Sequence, residues 1–196
     1  MTVRCKYGVL GEDISDAETI RALVRLIGKN SKVPVKLKGY GGAPAMRRKG
    51  KRDLRTMCDL GCTHFVIVYD ADRNPSDEVR KEVIECIVRP AEIKKVCCIL
   101  VPVQEIEAWI LADINAVQNV IIGWKPTSSF DSPEKISEPK ELLERLSRAS
   151  NRKPRYSHAT HNPRVARHLD WRKVQKKCPS FRPLVDFVLQ GKGNFP

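Results

Sequence analysis

Apolar and polar residues alternate along the chain with two different periods. Residues 3–10 (VRCKYGVL) place Val3, Cys5, Tyr7 and Val9 on one face of an extended segment, which predicts a strand. Residues 16–28 (DAETIRALVRLIG) repeat every three or four, with Ile20, Leu23, Val24 and Ile27 on one side. This predicts a helix capped by Asp16 and stopped by Gly28. Residues 33–38 (VPVKLK) read as a second strand, placed at a sheet edge by Pro34. The turn Gly39-Tyr40-Gly41-Gly42 and a basic helix over residues 46–60 follow.

Residues 64–69 (HFVIVY) form a dense apolar run, the pattern of a central parallel strand covered on both faces. Residues 76–88 predict a helix begun by Ser76. Residues 95–103 (KVCCILVPV) predict a further buried strand, and Gln104 to about Asp113 an apolar helix. Strands alternating with helices predict an α/β fold with a mostly parallel sheet of about four strands flanked by helices.

After residue 123 the character changes. Residues 125–138 read as a surface loop, 139–149 as a short amphipathic helix opened by Pro139, and 181–190 as a final helix. The expected organisation is a catalytic domain over residues 1–123, with a C-terminal helical extension over 124–196 packed on the same body.

Composition narrows the function classes. The chain has 196 residues, 41% hydrophobic and 30% charged, the balance of a soluble globular protein. No apolar run reaches membrane-spanning length and no secretory leader pattern opens the chain. The seven cysteines form no C-x-x-C pair and mostly lie in apolar runs, as reduced thiols of a cytoplasmic protein do. Cys58 and Cys62 with His64 remain conceivable ligands. The net charge is +13, which attracts polyanions and makes nucleic acid the expected partner.

Acidic residues recur where the strands end: Glu12 after the first, Asp70 and Asp72 after the central one, Glu105 and Glu107 after the last. The carboxyl ends of parallel strands form the ligand crevice of such sheets, so these side chains are placed to converge. Asp70 and Asp72, two apart on extended backbone, face the same way and suit one hard cation, Mg²⁺ or Mn²⁺. A cation so held polarises a phosphodiester. The basic run Arg47, Arg48, Lys49, Lys51 and Arg52 is the expected nucleic-acid contact beside that crevice. Gly39, Gly41 and Gly42 read either as a phosphate-binding loop or as a plain turn. His158, His161 and His168, among Arg152, Lys153, Arg155, Arg164 and Arg167, read as phosphate-contacting or solvent-facing. No G-x-x-x-x-G-K-[ST] motif is present, so the chain itself is not expected to be an ATPase.

Gly11-Glu12-Asp13 after the first strand, with Asp70-Ala71-Asp72 after the apolar third strand, resembles the Toprim fold of topoisomerases, primases and OLD-type nucleases. The stretch from Gln104 to Asp113, Pro139-Lys140-Glu141-Leu142-Leu143 and Cys178-Pro179-Ser180-Phe181 resemble a compact Toprim-related family found beside ATPases in phage-defence operons. One departure is Asp13, where Toprim sequences usually carry glycine. The resemblance implies a Mg²⁺-dependent nuclease with Glu12 as metal ligand or general acid/base and Asp70 and Asp72 as metal ligands. Glu105 and Glu107 would supply a second metal site or a distal carboxylate, with Glu107 the ligand, and Lys140 would neutralise transition-state charge at the nucleic acid. It also implies an ABC- or SMC-type ATPase partner. The alternative is a Toprim-shaped module that binds nucleic acid or a partner without cleaving.

Overall fold

The computed structural model describes residues 5–148 and 153–195; Val3 and Arg152 fall outside them. Four strands, β1 (Tyr7–Gly11), β2 (Val35–Gly39), β3 (His64–Val68) and β4 (Val96–Leu100), form one sheet in the order β2-β1-β3-β4. Every pairing is parallel, with Tyr7 opposite Val35 on one side and His64 on the other.

Successive side chains of a strand point to opposite faces, and here both faces are covered. Tyr7, Val9, Val66, Val68, Cys98 and Leu100 face α1 (Ile14–Ile27) and the C-terminal helices. Leu10, Phe65, Ile67, Cys97 and Ile99 face α2 (Ala43–Asp59) and α3 (Ser76–Val83). Burial on two sides is why β3 and β4 read as nearly unbroken apolar runs.

The chain leaves β1 through α1 to β2 at one edge, then returns over β1 through α2 to β3. Right-handed crossovers therefore put α1 on one face and α2 and α3 on the other. The connections diverge between β1 and β3, and that divergence opens the crevice where ligands of such sheets bind. Glu12 and Asp70 are the residues at those two strand ends.

Both edges are protected. Pro34 precedes edge strand β2, as its sequence predicts. The other edge belongs to β4, whose outer side is closed by the chain's last residues: Asn194 N–H donates to Cys97 O at 3.1 Å, and Ile99 N–H donates to Asn194 Oδ1 at 2.7 Å. Phe195 forms an antiparallel bridge with Cys97.

Helix α3 widens into a π-helical turn over Ile84–Val88 and ends with the single turn α4 (Arg89–Ala91). Beyond β4 come α5 (Glu107–Ala112), α6 (Pro139–Leu146), α7 (His158–Val165), α8 (Trp171–Lys177) and α9 (Arg182–Gln190). Leu143, Tyr156, Val165, Val174, Phe181 and Phe187 share one buried cluster with Val9, Val66 and α1. The C-terminal helices thus complete the core on the α1 face. Among the described residues no helix is long and apolar enough to cross a membrane. All seven cysteines are free.

Candidate active site

Strand β1 ends at Gly11, and two glycines bring α1 close to it. A Cβ on Gly11 would meet Ala17 N at 2.8 Å, and one on Gly39 would meet Ile14 N at 2.3 Å. Helix α1 is capped by a reciprocal pair: Asp16 N–H donates to Asp13 Oδ1 at 2.9 Å and Asp13 N–H donates to Asp16 Oδ2 at 3.1 Å. The cap is Asp13, with Asp16 three residues inside, because only that register lets each carboxylate reach the other's backbone N–H.

Between them, Glu12 is held at both ends. Its carbonyl accepts Tyr40 N–H at 3.2 Å and Gly42 N–H at 2.8 Å. The glycine turn therefore wraps Glu12, and two of its N–H groups are already occupied rather than open to a phosphate. The Glu12 side chain crosses the crevice, where Oε1 accepts the Asp70 N–H at 3.0 Å. Burial raises the Glu12 carboxyl above the usual range. The Asp70 N–H, the Ala43 N–H at the start of α2, and Arg47 oppose that rise, while Asp72 adds to it.

Asp70 is partly buried and faces several other acids. Its carboxyl is pushed well above the usual range by burial first, then by Asp16, Glu107, Glu12 and Asp72. After it the backbone turns: Asp72 and Arg73 both adopt left-handed conformations, with φ of 47° and 69°. Asp72 therefore does not continue the extended run, and the common facing expected from the Asp-x-Asp spacing gives way to a bend. Asn74 Nδ2 braces that bend by donating to Ala71 O at 3.0 Å. Two successive non-glycine residues in this region store backbone strain of about 1–3 kcal/mol each, a feature that clusters at functional sites. Exposed Asp72 lies where two grooves meet. One, of about 460 Å³, is also lined by Arg47, Asp70 and Glu82. The other, of about 180 Å³, is lined by Glu105, Glu138 and Glu141.

The structure separates the two glutamates after β4. Glu105 is engaged with α6: Lys140 Nζ lies 3.3 Å from Oε1, and Lys140 N–H donates to Oε2 at 3.3 Å. Lys140 is thus an ion-pair partner and not a free cation. Glu107 is buried and turned toward the acidic cluster; its carboxylate accepts Asn162 Nδ2 at 3.0 Å. Burial, more than its neighbour Glu105, pushes Glu107 up to about 7. Asn162, fully buried on α7, also accepts the Tyr156 hydroxyl, and His161 stacks on Tyr156 with ring centroids 6.0 Å apart.

Asp16 is the member of the cluster that the sequence pattern assigned to capping alone. Burial and the nearby Asp13, Glu107 and Glu12 raise it to about 8. The available signal was its spacing. Asp16 lies one helical turn before Ile20, on the same stripe as Ile20, Leu23, Val24 and Ile27 that meets the sheet. Asn162 had no comparable signal, because its partner lies 55 residues away in sequence.

The basic run lies on α2, whose inward side is Met46, Gly50, Leu54 and Met57. Arg47 reaches the crevice and pairs with Glu82. Arg48, Lys49, Lys51 and Arg52 are exposed, Arg52 lying 3.5 Å from Asp53. Of the histidines, His168 is exposed and His161 turns back on Ser157. His64 lies 3.1 Å from Cys5 Sγ, and Cys62 donates to Tyr7 O. Cys58, Cys62 and His64 therefore do not form a ligand set.

Glu12, Asp16, Asp70, Asp72 and Glu107 thus bring carboxylate oxygens to one end of the sheet, where burial first, and the neighbouring acids second, raise the carboxyls of Glu12, Asp16 and Asp70. Such a donor set suits a hard divalent cation. Among the described residues no three His, Cys, Asp or Glu side chains are grouped to hold a metal ion by themselves.

The family model described as "Domain of unknown function (DUF4276)" matches residues 12–189. No curated protein and no solved structure matches the chain.

Proposed function

We propose that this chain, which belongs to the DUF4276 family, is a Toprim-type, Mg²⁺-dependent nuclease hydrolysing phosphodiesters in nucleic acid. The carrying observation is the convergence at the β1–β3 switch point: Glu12 bound to the Asp70 N–H, with Asp16, Asp72 and Glu107 around them. Glu12, Asp70 and Asp72 would hold the cation, with Glu107 beside them. Bound there, Mg²⁺ (or Mn²⁺) supplies charge stabilisation at the attacking and leaving oxygens.

The chain's own residues supply the rest. In this reading Glu107, raised to about 7 chiefly by burial, would take a proton from the attacking water near neutral pH. Asn162 fixes the Glu107 carboxylate, and the Asp70 N–H fixes that of Glu12, so neither has to reorient during reaction. Arg47 and the exposed cations of α2 draw the polyanion to a crevice whose acids would otherwise repel it. An ATPase partner belongs to this reading through the Toprim resemblance alone.

One observation favours a second reading, a module that binds nucleic acid without cleaving it: the absence, among the described residues, of three grouped metal-ligating side chains. Incubation of labelled DNA and RNA with the protein in EDTA, Mg²⁺ or Mn²⁺ separates the two. Metal-dependent cleavage that is lost in the Asp70→Asn variant supports the nuclease. Binding without cleavage under every condition supports the module.

A further inference from the structure

Three arginines gather at the end of α1 remote from the acids. Arg21 and Arg25, one turn apart, join Arg167 of the 3₁₀ turn Ala166–His168 around a pocket of about 370 Å³, completed by Ala22, Leu26 and Ser31. Nine residues separate Asp16 from Arg25, roughly 13 Å of helical rise, so this pocket is distinct from the crevice.

The guanidiniums are incompletely satisfied. Arg21 pairs with Glu18 at 3.2 Å. Arg25 donates to the carbonyl of Val33 at 3.3 Å, and its buried Nε has no acceptor. Arg167 is exposed, with no hydrogen bond or ion pair among the described residues. Planar guanidinium forks match phosphate oxygens in pairs. The volume lies in the range of small-ligand sites, and Ala22 and Leu26 give it an apolar wall.

We propose that this pocket binds a phosphate group. Arg25 and Arg167 are the principal donors, and Arg21 is shared with Glu18. The phosphate belongs either to a small phosphorylated molecule or to the backbone of a nucleic-acid strand, and the two sources are distinguishable. The site requires neither metal nor cleavage, so it stands or falls independently of the nuclease reading.

The test uses the full chain in EDTA, titrated separately with pyrophosphate and with a short single-stranded oligonucleotide. Calorimetry and thermal melting provide the readouts. Arg167→Ala removes an exposed side chain and leaves the fold intact, and Lys94→Ala/Lys95→Ala, two exposed lysines just before β4, serves as the charge control. The expected result is saturable pyrophosphate binding, weakened at least about tenfold by Arg167→Ala, the loss of one charge-assisted hydrogen bond, and kept in the control. Oligonucleotide binding that is weakened by Arg167→Ala and competed by pyrophosphate assigns the phosphate to a strand. Oligonucleotide binding indifferent to Arg167→Ala assigns it to a small molecule. Absence of saturable pyrophosphate binding, pyrophosphate binding unchanged in Arg167→Ala, or equal loss in the control overturns the proposal.

Discussion

Asn162 on α7 donates its side-chain amide to Glu107 on α5 at 3.0 Å, and both residues are buried. The bond ties the C-terminal helices to the acidic crevice. It brings the segment after residue 123 into contact with the acidic cluster.

Replacing Asn162 with Ala leaves the buried Glu107 carboxylate and the Tyr156 hydroxyl each short of a partner. The expected cost is about 1–3 kcal/mol of stability, read from urea unfolding. An unchanged unfolding midpoint would show that the bond contributes nothing.

Asp16 is expected to matter beyond its capping bond. Asp16→Asn keeps a side-chain acceptor for the Asp13 N–H but removes one charge from the cluster. Melting temperature should hold or rise while Mg²⁺ affinity, measured by calorimetry, falls. Loss of stability with metal affinity intact would assign Asp16 to capping alone.

Stability without divalent metal should depend on pH in a set direction. Glu107 and Asp16 are raised to about 7 and about 8, so the folded state binds protons that the unfolded state releases near pH 4. Their stabilising contribution is complete below pH about 4 and is lost as pH rises through about 7 to 8. Thermal melts in EDTA should therefore decline across that window. Added Mg²⁺ should recover more stability at pH 8 than at pH 5, since the ligands must be deprotonated to bind it. Melts flat from pH 5 to 8 would contradict the raising of these carboxyls by burial.

Gly39 lets β2 end against the first turn of α1. A methyl group there would meet the Ile14 backbone at 2.3 Å. Gly39→Ala should displace the segment carrying Glu12 and cost about 1–3 kcal/mol by overpacking. Gly41→Ala is the comparison, since a Cβ on Gly41 meets nothing within 4 Å and its penalty comes from its φ of 72° alone. Equal melting temperatures for the two variants would refute the close approach.

The exposed cations of α2 should govern nucleic-acid affinity through salt. Arg48→Ala/Lys49→Ala/Lys51→Ala should weaken binding to all sequences. The slope of log K against log salt should fall by about 0.7–0.9 for each phosphate that is no longer neutralised. Fluorescence anisotropy between 50 and 200 mM salt would read it, the range over which a protein neutralising many phosphates weakens by about 10³–10⁵. An unaltered slope would place the nucleic acid elsewhere on the surface.

The strand–helix alternation, the edge position of β2, the buried runs of β3 and β4, and the acids at the strand ends were all legible in the chain, because each depends on neighbours a few residues apart. Local spacing sets which face of an element is apolar, and parallel strands put their carboxyl ends on one side of a sheet. The sharing of Glu12 with the Asp70 N–H, the parting of Glu105 from Glu107, and the bracing by Asn162 depend on contacts between residues 35 to 58 positions apart. Only packing decides these. The same holds for the bend at Asp72, where a left-handed backbone overrides the two-residue period, and for the arginine pocket, whose members come from α1 and a turn more than 140 residues later. Periodicity in the sequence determined which residues face inward. The crossing of the chain between β1 and β3, and the closure of the C-terminal helices over α1, decided which inward residues meet.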